Sequence, residues 1–345
     1  MSLEDWTARE PDDLEAVAAE ARRWADSAAD SPLYRLFALS IAEDPDMLAV
    51  LARIPGVPPM NLLLGSVKLH LSAGDPLAAW YPHLAPRPLA PSREAYLALR
   101  SHVLETADAV VAQASGRRTQ TNETGRAAVL LPWVAAFAGD EPVHAIDVGA
   151  SAGLNLGLDR FSYRYTWEGG ATTLGRGAPT LECEWRGDGP PLSALPMLAS
   201  RTGIDIHPVD AADPDQAAWL EALVWPEHQD RLERLRAAIE TRRDIDVAMI
   251  AGDAAQVLAE VEAGLPPGPL VIWHTVALYQ APPEVQERID AAVVGIARHR
   301  RVLRLGMEPV RGLPDVQVRV GPSFDAARTV ATAHAHGRWV EPAYP

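Results

Sequence analysis

The segment Ala145-Ile-Asp-Val-Gly-Ala-Ser-Ala-Gly-Leu-Asn155 constrains the fold of this chain more than any other. A short apolar run carrying one acid passes straight into glycine, small residues and a second glycine. Such a run buries its apolar members in a sheet. The glycines allow a tight turn and close approach of a ligand to the backbone, because they tolerate positive φ and carry no Cβ. The pattern predicts a helix beginning near Gly153, whose unpaired N–H groups and positive dipole end would face the same ligand. Asp147 then stands at the carboxyl end of the strand, the edge at which open α/β sheets bind ligands.

Similar β-type runs recur at residues 203–207, 246–251, 269–274 and 301–305, separated by helical stretches at 216–224, 229–241, 254–263 and 283–299. Strands alternating with helices predict a mostly parallel α/β sheet with right-handed crossovers. Residues 316–320 and 329–333 have no helix between them, so an antiparallel hairpin is expected at one edge of the sheet. Residues 161–167 and 181–185 predict another hairpin, inserted near 161–186. Ahead of the sheet the apolar spacing is helical: residues 11–30, a second helix from Ser31-Pro32, a third from Asp44-Pro45, an apolar one at 61–71 and a long one at 92–114. The expected organisation is an all-α cap domain, residues 1–118, followed by a Rossmann-like domain, residues 119–345, with the ligand cleft between them.

Charge narrows the partners. Thirty-one Lys and Arg against 46 Asp and Glu leave a net charge of −15. That field repels phosphate backbones, so the expected partner is a small molecule and not a nucleic acid. No segment reads as a membrane span, and the acidic N-terminus lacks the order of a signal peptide. Cys183 is the single cysteine. It excludes an internal disulfide and suits a reducing cytoplasm.

The glycine turn itself fits several chemistries unequally. It lacks the G-x-G-x-x-G of dinucleotide sites and the G-K-[ST] of a P-loop. Gly149-x-Ser151-x-Gly153 matches the nucleophile elbow of α/β hydrolases, and a serine hydrolase would use Ser151 with His274 or His334 as base and Asp253 as orienting acid. Hydrolases, however, place several strands before the elbow, and here the preceding region is helical. The turn resembles instead motif I of class I S-adenosylmethionine (SAM)-dependent methyltransferases. The resemblance implies SAM as cofactor, held by Asp147, Gly149, Ser151, Gly153 and Asn155. It implies that Asp205, in Gly203-Ile-Asp-Ile-His, binds the ribose hydroxyls, or Glu168 if residues 162–167 are the true second strand. It further implies that Asp253 accepts from the adenine amine and that the strand ending in Trp273-His274-Thr275 faces the methyl acceptor.

Other residues extend this expectation. In Thr119-Gln-Thr-Asn-Glu-Thr-Gly-Arg126, Thr121 or Asn122 can cap the following helix with Glu123 in its first turn. The same cluster could serve the cofactor: Asn122 or Arg126 on its carboxylate, and Glu123 facing cofactor or acceptor, where it is a candidate general base alongside His274. His274 ends an apolar strand at the ligand-facing edge, as a general base or as a satisfied core histidine. His334-x-His336 pairs two imidazoles without a third ligand at fixed spacing, so no metal is expected. Asn61, Gly65 and Lys68 share one helix face, which lines an acceptor pocket or else packs closely while Lys68 reaches solvent. A whole-chain resemblance adds to these. Asn61-Leu-Leu-Leu-Gly-Ser-Val, Thr121-Asn-Glu-Thr-Gly-Arg126, the glycine turn, Val224-Trp-Pro-Glu227 and Trp273-His274 resemble an uncharacterised bacterial family known only as domain of unknown function 2332. That family implies no activity. The alternatives to a methyltransferase remain a Ser151 hydrolase and a non-catalytic SAM- or nucleotide-binding protein.

Overall fold

A computed structural model describes residues 13–310, 312–313, 315–323 and 326–343. Its first elements are helices: α1 (Leu14–Ser27), α2 (Pro32–Ile41), α3 (Pro45–Ala52), α4 (Pro59–His70), α5 (Arg93–Glu105) and α6 (Ala107–Ser115). Residues 11 and 12 of the first expected helix lie outside the described residues. Asp13 opens α1 by accepting from the Ala16 N–H, and Asp44 opens α3 by accepting from Asp46 and Met47. Both satisfy amides that have no partner inside the helix. The long helix expected at 92–114 is two helices, because Thr106, at φ −120°, leaves the helical region.

The chain then runs through α7 (Arg126–Ala138), β1 (Val143–Val148), β2 (Ser162–Trp167), β3 (Gly170–Leu174), β4 (Thr180–Trp185) and β5 (Leu198–Asp205). Next come α8 (Pro214–Ala222), α9 (Gln229–Arg243), β6 (Ala248–Ala251), α10 (Ala254–Ala263), β7 (Leu270–Thr275) and α11 (Pro283–Ala297). The chain closes with β8 (Val302–Pro309), β9 (Val316–Val320), β10 (Arg328–Ala333) and β11 (Trp339–Pro342). All eleven strands form one sheet, in the order β3-β2-β4-β11-β10-β9-β8-β7-β1-β5-β6. The run β6-β5-β1-β7-β8 is parallel throughout. Within this parallel run the chain goes from β1 to β5 and β6 on one side and then to β7 and β8 on the other, so the order reverses between β1 and β7; β2, β3 and β4, which follow β1 in the chain, lie at the far edge of the sheet. Beyond β8 the sheet turns antiparallel through the β8-β9-β10-β11 meander.

Two local expectations are corrected. No α-helix follows the glycine turn; a single 3-10 turn, Leu154–Gly157, leads the chain back into β2. Gly153 is left-handed, at φ 70°, and Gly157 is packed against the Phe161 ring, so the path is too short and too bent for a helix. The inserted strands are not a hairpin of 161–167 with 181–185 either. β2 pairs antiparallel with β3 and parallel with β4. β3, Gly-Ala-Thr-Thr-Leu, carries little apolar signal and escapes a reading based on hydrophobic runs. β4 in turn pairs with β11 through Trp339 and Glu184, which joins the insertion to the closing meander.

The chain divides into two compact units, one of residues up to Thr121 with Pro214–Glu233, the other of Asn122–Asp213 with the residues from Arg234 onward. Residues 214–233, expected in the sheet domain, thus belong with the helices. Trp219 packs on Gly65, where a Cβ would come within 3.0 Å of the indole. Lys68, 6% exposed, donates to the carbonyls of Glu221, at 3.0 Å, and of Val224, at the C-terminal end of α8. Cations are favoured there by the helix dipole. Glu227 accepts from Ser31 Oγ and from the Leu33 N–H at the start of α2. The face of α4 bearing Asn61, Gly65 and Lys68 is therefore a packing and capping surface. Lys68 does not reach solvent, and Asn61 Oδ1 accepts from Trp24 Nε1 at 3.1 Å. In the sheet unit, Ile146, Val148, Ile204 and Ile272 form one core with Leu258 of α10 and Ile289 and Val293 of α11.

Candidate functional site

Two loops leave the sheet where its order reverses, residues 149–155 after β1 and residues 276–279 after β7. Crevices for ligands form at such points in open α/β sheets. Ser151, at φ 53°, and Val276, at φ 52°, are the positive-φ non-glycine residues among the described ones, and they fall one in each loop. Such conformations cost about 1–3 kcal/mol each and persist where the surroundings over-determine them. Gly149, at φ 76°, sits against the second loop: a Cβ there would stand 2.5 Å from Ala277 Cβ.

The first loop is held by groups from several elements. Ser151 N donates to Asp205 Oδ2 and His207 N to Asp205 Oδ1, each at 2.8 Å. Gly149 N and Ala150 N both donate to the Ile204 carbonyl. Leu154 N donates to Asn122 Oδ1 at 2.9 Å. Beneath the loop, Ser151 Oγ and both amide atoms of Asn155 are buried without a hydrogen-bond partner. Buried polar atoms are normally paired, so these mark where a ligand group or an ordered water would bond. Asp147 lies just below, 2% exposed. Burial pushes its carboxyl up to about 7; the Asp205 charge adds to this, while Trp273 and Arg126 oppose it.

The segment before α7 contributes mostly structure. Neither Thr121 nor Asn122 caps α7, which starts after Gly125 without a side-chain cap. Arg126 donates from Nε to the Ala335 carbonyl and from Nη1 to the Thr275 carbonyl, each at 3.0 Å, tying the end of β7 to the β10–β11 turn. Glu123 Oε1 accepts from the Gly125 N–H at 3.0 Å and lies 3.6 Å from Arg234 Nη2. Gly125 and Gly337 pass backbone to backbone: a Cβ on Gly337 would lie 2.0 Å from the Gly125 carbonyl oxygen.

His274 does not share a face with Asp147. Asp147 pairs with Trp273 across β1 and β7, and Val148 pairs with His274, so alternation sends the two functional side chains to opposite sides of the sheet. His274 Nδ1 lies 2.7 Å from Glu308 Oε1, and burial pulls the imidazole below its ordinary pKa while Glu308 opposes this. Asp253 is the N-cap of α10, accepting from the Ala255 N–H, and sits one strand beyond Asp205. Glu168, the alternative to Asp205, lies in the β2–β3 turn at the far edge of the sheet. Ser151 Oγ has no hydrogen-bond partner, an imidazole included, and no α-helix directly follows its turn. The His334 and His336 rings are 5.3 Å apart, and among the described residues no group of three His, Cys, Asp or Glu side chains could hold a metal ion.

Three residues of the site escape the sequence reading. Glu308 is the last but one residue of β8, which runs four residues past the expected strand; an acid near the end of an apolar strand, as at Asp147, was the available signal. Ile206, directly after Asp205, is 66% exposed. Arg242 is half-buried, and its Nε would lie 3.5 Å from a Cβ on Gly153.

Fold and site together define a doubly wound α/β protein with a glycine turn at the reversal of strand order. The chain belongs to the family described as "Uncharacterized protein conserved in bacteria (DUF2332)", whose profile matches residues 18–341. No curated protein matches it. Among the described residues, no helix is long and apolar enough to cross a membrane.

Proposed function

We propose that this protein is a cytoplasmic SAM-dependent methyltransferase acting on a small molecule. The observation that carries the reading is the turn after β1: left-handed at Gly149, Ser151 and Gly153, closed by Asp205, and underlain by the unpaired polar atoms of Ser151 and Asn155. The residues fit a sulfonium nucleoside. Asp205 and Asp253, at the ends of neighbouring strands, suit ribose hydroxyls and a base amine in that order across the sheet. Exposed Ile206 offers the base an apolar plate. Ser151, Asn155 and Asp147 suit the amino-acid end.

When bound, the cofactor would supply an electrophilic methyl group. The chain's own part is to hold an acceptor in line with it, a device able to lower a barrier by about 7–11 kcal/mol. Both candidate bases, Glu123 and His274, are engaged by neighbouring groups, so alignment rather than side-chain proton removal is the main contribution. That engagement also favours a second reading, a SAM-binding sensor without turnover.

Calorimetric titration with SAM and with S-adenosylhomocysteine, on wild type and on Asp253→Ala and Asp205→Asn, tests the assignment. Both ligands should bind wild type, and each variant should bind at least tenfold more weakly. Absence of binding to the wild type, or unchanged affinity in both variants, would remove the cofactor. A methyl-acceptor screen with labelled SAM then separates enzyme from sensor.

A further inference from the structure

The loop after β7 is clamped by one side chain that neither the glycine turn nor the family resemblance points to. Glu308, 5% exposed, receives four groups on one carboxylate. His274 Nδ1 approaches Oε1 at 2.7 Å, and the backbone N–H groups of Ala277, Leu278 and Tyr279 donate at 3.1, 3.1 and 3.4 Å. A carboxylate with that many donors holds its partners as a unit, because each is charge-assisted. The segment it grips begins at Val276, a β-branched residue at φ 52°, where the backbone would relax if released. It also carries Ala277, whose methyl touches the space over Gly149, and Tyr279. Gly306 leaves room for the arrangement, since a Cβ there would lie 2.6 Å from the His274 ring.

We infer that Glu308 is a positioning residue for the ligand site: by clamping residues 276–279 in their strained turn it sets the distance between Ala277 and Gly149, and so the fit of the ligand's sulfonium and amino-acid end. The inference rests on the cofactor reading above. It divides the ligand in two. Asp205, Ile206 and Asp253 lie on the β5–β6 side of β1, whereas the clamped loop lies on the β7 side. Loss of the clamp therefore weakens the part of the ligand beyond the ribose and spares the nucleoside.

The test measures the affinity of Glu308→Gln for S-adenosylhomocysteine and for adenosine, together with amide exchange at residues 277–279. The expected result is at least a tenfold loss for S-adenosylhomocysteine, an adenosine affinity within twofold of wild type, and at least tenfold faster exchange at the three amides. General destabilisation would lower both affinities alike, and that outcome overturns the proposal, as does an unchanged affinity for both. Should Glu308→Gln not fold, His274→Leu removes one donor and keeps the carboxylate; the same split in smaller measure is expected, and its absence counts against the clamp. If wild type binds neither ligand, the cofactor reading falls by itself. Amide exchange then still decides the clamp, since unchanged protection at residues 277–279 in the variant would overturn it.

Discussion

At the scale of single residues, the sheet unit depends on where a side chain is forbidden and where a charge is buried. Gly337, at φ 71°, would bring a Cβ within 2.0 Å of the Gly125 carbonyl oxygen, so both its backbone conformation and its space demand glycine. Gly337→Ala should cost at least about 2 kcal/mol in urea unfolding; a loss under about 0.5 kcal/mol would mean that the two segments part easily. Asp147 behaves in the opposite sense to a salt-bridged acid. Its folded pKa of about 7 lies above the unfolded value, so the folded state is favoured at low pH and loses stability as pH rises through 7. Asp147→Asn abolishes this, and relative to wild type it should gain stability between pH 5 and pH 8, by at most about 3 kcal/mol. A difference between the two proteins that is flat with pH would place the titration elsewhere. By the same linkage, a cationic ligand group beside Asp147 favours the ionised carboxylate. Affinity for SAM should then increase from pH 6 to pH 8.

At the scale of elements, the informative motif is Val224-Trp-Pro-Glu227. Its Trp225 packs at 5.7 Å from Trp24. Its acid has a different role: Glu227 takes Ser31 Oγ and the Leu33 N–H, supplying from a distant segment the cap that Ser31 does not give to its own helix. Glu227→Ala should destabilise the helical unit by about 1–2 kcal/mol, read as a lower urea midpoint. Wild-type stability would show that water replaces the carboxylate. The helix start at Asp44-Pro45 was legible because its cap is local. Glu227 was not, because the residue it serves is remote in the chain. Strand β8 was cut short for a related reason: its last residues, Gly306-Met-Glu-Pro309, depart from an apolar run, yet Gly306 packs against His274 and Glu308 is buried under the β7 loop.

At the scale of the whole molecule, the helical unit is discontinuous. Residues 214–233 return to it and bring Trp219, the α8 carbonyls that Lys68 caps, and Glu227. A fragment of residues 13–121 should therefore show poor amide dispersion by NMR, and adding residues 214–233 through a flexible linker should restore it; a well-dispersed short fragment would contradict this dependence. The alternation of helix and strand, the parallel core and the glycine turn after β1 were written in the amino-acid order, because periodicity and glycine content act over a few neighbouring residues. The tertiary structure alone decided that Asp147 and His274 face opposite sides of the sheet, that β4 joins β11, that Glu308 grips the loop beside Gly149, and that 214–233 belongs with the helices. Those outcomes turn on which strands and helices become neighbours, and burial of apolar area selects neighbours without regard to their separation along the chain.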